Sequence, residues 1–316
     1  MNYSSIYWLT IAATPAISHP YFGMFYCFKF FRKVVVGDNL WFTLPTPELE
    51  LRLRLEELSK VRIHEEIIPE LLEELSTAIN LDGKVKHPVI VDSNTLVVLD
   101  GMHRVAALEK LGCKYLPVCL VDYQSPSVKV GCWYRTVDGH ASADELLDIL
   151  STLGLTPGES SLERTMRTLA VQSKERCYLI KDAGEGIRKN YALVRRIEGA
   201  LRESGLKVGY ETESDAVRKI QSGEVTAAIL TPKVTKVEVI EAALSGKVFP
   251  HKTTRHIVAA RPMGINVPLG WLKGERSIGE INRMLVEHLS TRKVKHLPKG
   301  TLFEGRRYEE ELWIFE

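Results

Sequence analysis

The stretch that decides the fold runs Leu99-Asp100-Gly101-Met102-His103-Arg104-Val105-Ala106-Ala107-Leu108-Glu109-Lys110-Leu111-Gly112. Val105, Leu108 and Leu111 fall on one helical face, and Gly112 stands where a helix ends. Upstream, Val89-Ile90-Val91 and Leu96 to Leu99 read as two strands with Asp92-Ser93-Asn94 as the turn between them. Downstream, Leu116 to Val121 reads as a further strand. The unit is strand, tight loop, helix, strand. Its loop lies at a helix N-terminus, where unpaired backbone N–H groups and the helix dipole favour an anion. Gly101 lets the backbone approach a phosphate. His103 and Arg104 add side-chain donors, and an arginine grips phosphate oxygens with two nitrogens. Asp100 can hold a magnesium ion or orient one of those donors. Taken alone, the residues fit equally well a plainer arrangement, an Asp N-cap beside a solvated His-Arg pair.

Working outward, Leu49, Leu51, Leu53 and Leu55 alternate with Glu and Arg, the pattern of a half-buried strand, after a loop at Leu44-Pro45-Thr46-Pro47. Arg62-Ile63-His64-Glu65-Glu66 precedes a helix through Leu71, Leu72, Leu75 and Ile79, which Asp82-Gly83 ends. Farther on, strands at Cys177 to Lys181, Lys207 to Tyr210 and Thr226 to Leu230 alternate with helices. These run from about 191 to 204, from 215 to 221 with Ser214 as cap, and from 234 to 244. Such alternation argues for a second α/β lobe, with its ligand site in the cleft between the lobes. Gly184-Glu185-Gly186 reads as a turn. Ile278 to Leu289 reads as an amphipathic helix and Leu312 to Phe315 as a strand, suited to added packing or a dimer contact.

The 316 residues carry 42 Lys and Arg against 40 Asp and Glu, so no charge excess calls for nucleic acid or a membrane surface. Five cysteines, Cys27, Cys113, Cys119, Cys132 and Cys177, show neither CxxC nor zinc-finger spacing, and their odd number suits a reducing, cytoplasmic setting. Glutamine is scarce beside Lys, Arg and Glu, a bias of heat-adapted proteins. Residues 1–28 have no charged side chain, and the basic residues begin only with Lys29. That order is wrong for a signal peptide, and Pro15, His19 and Pro20 interrupt any spanning helix. The stretch is expected to be a tail outside the core, with Met24 as a rival initiator.

Asp-Gly-x-His-Arg running into Val-Ala-Ala-Leu, after a Pro-Val-Ile-Val strand, resembles the superfamily that joins the ParB N-terminal domain, sulfiredoxin and the archaeal free serine kinases. Sulfiredoxin needs a cysteine just before its His-Arg, where this chain has Met102. ParB proteins carry Gly-Glu-Arg-Arg and a downstream helix-turn-helix, neither of which is evident here. The serine kinases carry Asp-Gly-His-His-Arg, which differs from Asp100 to Arg104 only at the central residue. Two further blocks follow the same branch. His64-Glu65 resembles its His-Glu pair, and Lys252-Thr253-Thr254-Arg255-His256 its Lys-Thr-Thr-Arg-His segment; Trp133-Tyr134 matches a Trp-Tyr pair. The resemblance covers roughly residues 44–272 and is thin between about 145 and 225.

What the resemblance implies is a kinase that phosphorylates the hydroxyl of free L-serine with ATP or ADP and Mg²⁺, giving O-phospho-L-serine. Glu65 would be the base, and Asp100, Gly101, Met102, His103 and Arg104 would form the phosphate loop, with Asp100 holding the metal. Lys86 and His87 would lie near the adenine. Trp133, Thr253, Thr254, Arg255 and His256 would hold the amino acid. Expected divisions are an extension over 1–43, a ParB/sulfiredoxin-like nucleotide domain over 44–145, an α/β substrate lobe over 146–273 and a C-terminal extension over 274–316. The partners implied are serine and an adenine nucleotide, without nucleic acid or membrane. The alternative is a non-catalytic ParB-like nucleotide- or DNA-binding module.

Overall fold

Alternation at residues 49–55 does produce a strand, Glu50–Glu57, and Leu51, Leu53 and Leu55 on its inner face are buried. The structure, a computed structural model, describes residues 32–36, 39–138, 143–159, 167–180 and 186–316. Glu50–Glu57 is central to a six-stranded sheet in the order Arg32–Val36, Asn39–Pro45, Glu50–Glu57, Tyr115–Val121, Val89–Asp92, Val98–Asp100. The last three are the strands of the decisive stretch. Val89–Asp92 and Tyr115–Val121 pair in parallel, and the helix Met102–Lys110 lies in the crossover between them. Every residue of Val89–Asp92 and Tyr115–Val121 is buried, which is why both read as continuous apolar runs. The Pro69–Asp82 helix packs on the Met102–Lys110 helix and ends in a left-handed Gly83.

A second six-stranded sheet follows the order Pro157–Glu159, Cys177–Ile180, Ala170–Ser173, Ala227–Leu230, Tyr134–Asp138, Lys207–Glu211. Helices Ile187–Glu203, Glu213–Ser222 and Lys236–Leu244 accompany it. All its pairings are antiparallel, although strand and helix alternate along part of the chain. Tyr134–Asp138 lies inside this sheet, on the far side of the boundary expected near residue 145, and the helix Ala143–Thr152 runs across that boundary. The cap of Glu213–Ser222 is Thr212, whose hydroxyl accepts from the Asp215 N–H; Ser214, the expected cap, is already helical.

Leu44 and Pro45, expected in a loop, end the strand Asn39–Pro45, so the first sheet starts before residue 44. The C-terminal segment is woven into the body. Glu311–Phe315 pairs in parallel with Ala260–Met263 and antiparallel with Val294–Leu297. The helix Ile278–Ser290, closed by a Ser277–Glu280 capping box, covers Asn39–Pro45 and Glu50–Glu57. Asn282 Nδ2 donates to Leu55 O (3.1 Å) and its Oδ1 accepts from Leu55 N (2.7 Å), across 227 residues of sequence. Residues 1–28, Cys27 and most of the Gly184–Gly186 turn lie outside the described residues, in which no helix is long and apolar enough to cross a membrane.

Candidate active site

Gly101 opens the loop before the helix Met102–Lys110 at φ 99°, a conformation that side chains resist. A Cβ there would lie 2.6–2.9 Å from the Arg104 guanidinium, so the glycine also makes room for that arginine to fold back over the loop. Arg104 Nη2 donates to Asp100 Oδ2 (2.6 Å), and Arg261 Nη1 donates to the same oxygen (2.8 Å). Burial alone would raise the Asp100 carboxyl, but the charges of Arg261, Arg104 and Arg306 outweigh it and hold Asp100 well below the carboxylate range. His103 Nε2 accepts from the Ile68 N–H (3.1 Å), so a neutral ring carries its proton on Nδ1. Burial, then Lys252, lowers the affinity of that ring for a second proton.

The facing wall is built by a backbone bridge between two distant segments. Glu66 N donates to Phe249 O and Phe249 N donates to His64 O, both at 2.8 Å. This brings Glu65 under the loop that follows. Its Oε1 accepts from Thr254 N (2.5 Å) and Thr254 Oγ1 (2.6 Å), and its Oε2 accepts from Lys252 N (3.0 Å). With the Thr254 proton committed to Glu65, His64 Nε2 is the donor to Thr254 Oγ1 (2.8 Å). Burial pushes Glu65 above the usual glutamate range, although these donors pull the other way. A buried carboxylate with one lightly loaded oxygen is suited to taking a proton.

Between these walls is a cavity of about 440 Å³. Of the sequence-predicted residues, it brings together Glu65, His87, Asp100, Gly101, Met102, His103, Arg104, Trp133, Thr254, Arg255 and His256. Lys86 is not among them: its ammonium turns outward to Asp82 (2.6 Å). Thr253 is fully buried behind the wall, donating to Pro250 O (2.7 Å), and shapes the loop rather than the pocket. Arg255 reaches the cavity with both terminal nitrogens engaged, by Glu309 (2.6 Å) and Glu213 (3.2 Å). Trp133 donates to Thr254 O (3.1 Å), with the Lys252 ammonium 4.3 Å from its ring centroid.

Two guanidinium groups share Asp100 Oδ2, which weighs against a dication on that oxygen. The described residues contain no group of three His, Cys, Asp or Glu side chains able to hold a metal. Asp100 is better described as the orienter of Arg104.

Sequence reasoning missed the supports. Arg135, 1% exposed, pairs with Glu198 (2.5 Å) and donates to Trp133 O (2.7 Å) and Lys252 O (3.0 Å), fixing the loop at Lys252 to Thr254 from behind. Tyr123 and His256 meet at 2.7 Å. Arg261, Arg306 and Tyr308 also line the cavity. Arg261 and Glu310 meet at 2.8 Å within the body, and nothing in the local sequence marks either.

No family model matches the chain. An ATP-dependent L-serine kinase of Staphylothermus marinus is 31% identical over 232 residues, 69% of this chain and 90% of that protein. An ADP-dependent L-serine kinase of Thermococcus kodakarensis is 29% identical over 224 residues, 67% of this chain and 90% of that protein. A solved structure of free serine kinase in complex with AMP superposes with a TM-score of 0.59 at 27% identity, covering 70% of this chain and 93% of that one. The mixed α/β fold of this chain is thus shared with that kinase. The identity and the coverage of the Staphylothermus protein together settle the matter: this chain belongs to the L-serine kinase family.

Proposed function

We propose that the protein phosphorylates the hydroxyl of free L-serine with an adenine nucleotide, giving O-phospho-L-serine. The observation that carries the reading is one cavity with a buried carboxylate, Glu65, on one wall and a helix N-terminus bearing His103 and Arg104 on the other. Glu65 Oε2 accepts the hydroxyl proton as the serine oxygen bonds to the terminal phosphorus, and the nucleotide departs one phosphate shorter. Arg104, the loop amides and the His103 Nδ1–H stabilise the charge on the transferring group. Trp133, Thr254, Arg255 and His256 hold the amino acid. A Mg²⁺ ion brought with the nucleotide would supply further neutralisation of phosphate charge, while Asp100 orients Arg104. The curated relatives include both ATP- and ADP-dependent enzymes, so both donors are candidates. The buried thiols of Cys113 and Cys119 suit a reducing, cytoplasmic setting.

The test is incubation with L-serine, Mg²⁺ and either ADP or ATP, followed by ³¹P NMR for O-phosphoserine. Product with one donor or both supports the reading. No product with either, from protein that binds nucleotide, returns the chain to a non-catalytic ParB-like module, for which a buried carboxylate facing the phosphate loop has no use.

A further inference from the structure

Five strongly basic side chains line the cavity: Arg104, Lys252, Arg255, Arg261 and Arg306. Three are already matched by carboxylates. Arg104 and Arg261 share Asp100, Arg261 also has Glu310, and Arg255 has Glu213 and Glu309. Among the described residues, Lys252 and Arg306 form no ion pair. Lys252 comes from the substrate loop. Arg306 comes from a segment beyond the family resemblance, the hairpin of Leu302–Phe303 and Arg306–Arg307.

That hairpin is anchored to the cavity on several sides. Its turn uses left-handed Glu304 and Gly305 (φ 46° and 76°). The Glu304 carboxylate lies 3.4 Å from His87 Nε2, at the mouth of the phosphate loop. Behind it, Gly300 N donates to Tyr308 O (2.7 Å) and Tyr308 N to Thr301 O (3.0 Å). Then Glu309 and Glu310 grip Arg255 and Arg261 before the chain enters the strand Glu311–Phe315. The Arg306 guanidinium rests 4.8 Å from the Tyr308 ring centroid. Its field is felt by Asp100, which it helps to hold ionised, and by Lys252, whose ammonium it disfavours.

We propose that Arg306 is a further phosphate-binding residue of this site, supplied by the C-terminal hairpin and directed at the polyphosphate of the nucleotide donor. The argument is one of charge. A cavity wall with two cations lacking carboxylates, beside a helix N-terminus, is complemented by a ligand with several negative charges. An amino acid brings one carboxylate; a nucleoside di- or triphosphate brings more. The proposal rests on the nucleotide half of the function proposed above and is separable from the serine half.

The experiment is calorimetric titration of the full chain and of Arg306→Ala and Arg306→Lys with ADP, ATP and adenosine, beside melting temperature and serine turnover. Loss of one charge-assisted phosphate contact weakens ADP and ATP binding by about tenfold or more in the alanine variant, with adenosine binding and melting temperature unchanged. Lysine restores part of the loss, since charge but not the planar fork is kept. The proposal is overturned if Arg306→Ala binds ADP and ATP as the wild type does, or if adenosine binding falls equally. Wild-type protein that binds nucleotide but never phosphorylates serine overturns the kinase reading and leaves Arg306 to be judged on the nucleotide titrations. Wild-type protein that binds neither ADP nor ATP overturns both.

Discussion

Because Thr254 takes up Glu65 Oε1 twice and Lys252 N–H reaches Oε2, replacing Glu65 removes more than a base. An amide at this position keeps one acceptor and turns an NH₂ toward a donor. A buried N–H left unpaired costs about 1–3 kcal/mol. We expect Glu65→Gln to lose about 10²–10⁴-fold in turnover and to melt at lower temperature. Glu66 also borders the cavity, but its carboxylate is turned to an exposed pair with Arg195, so Glu66→Gln should keep both rate and stability within the roughly 0–1 kcal/mol typical of such pairs. Turnover measured beside melting temperature decides: wild-type rate in a destabilised Glu65→Gln would make this carboxylate a clasp for the loop and nothing more. At this scale the sequence was informative where chemistry and backbone demand coincide, as at Asp100 to Arg104. It was silent on Arg135, because a fully buried arginine paired to Glu198 spells the same letters as a solvated one.

Among the elements, the helix Met102–Lys110 shows how little freedom the site tolerates. Gly101→Ala would force a side chain onto φ 99° and press its Cβ against Arg104. The backbone strain costs about 1–3 kcal/mol, and Arg104 must leave its place over the loop. We expect a nucleotide affinity lower by about tenfold, the loss of a contact to a charged group, together with a reduced melting temperature. Unchanged nucleotide binding in a folded Gly101→Ala would show that Arg104 takes no part. The helix was legible because apolar spacing and terminal glycine agreed. The pairing of the second sheet was not, since alternation of strand and helix favours a parallel sheet and here all the pairings are antiparallel. Nor was the Thr212 cap, which differs from Ser214 only by which hydroxyl the chain direction brings to the Asp215 N–H.

For the whole molecule, the two lobes close over imidazoles kept neutral. Burial pushes His64 down to about 4, and burial with the charge of Lys252 pushes His251 to about 4; His256, His103 and His87 are lowered as well, burial being the largest cause in each. A histidine held low in the fold takes up no proton where the unfolded chain does. Its contribution to stability is complete above pH 6.5 and drains away as pH falls towards 4. For His64 the full loss is about 3 kcal/mol. Melting temperature should therefore fall between pH 6.5 and 4, and His64→Gln should flatten that slope. Asp100, whose carboxyl is held low, loses its contribution only below its ordinary value of 3.8, in a separate window. An equal slope in the variant would show that His64 is not the titrating group. The cleft between lobes was foreseen from the order of motifs, but its C-terminal rim was not, because Arg306 and Tyr308 lie beyond any motif.

The Asn282–Leu55 contact joins residues 227 apart, and the rim contributed by Arg306 and Tyr308, with Glu309 and Glu310 behind it on Arg255 and Arg261, lies later still. During synthesis, at about 5–20 residues per second, the first sheet leaves the ribosome well before the helix that covers it. For that interval the Leu55 N–H and C=O await their partner, and Arg261 and Arg255 await Glu310 and Glu309. A nascent or prematurely terminated chain would hold the phosphate loop and Glu65 yet lack the rim, so ribosome-bound intermediates would not carry the complete site. Such a chain is also a natural substrate for quality-control proteolysis, because the surface left bare is the core-facing side of a sheet.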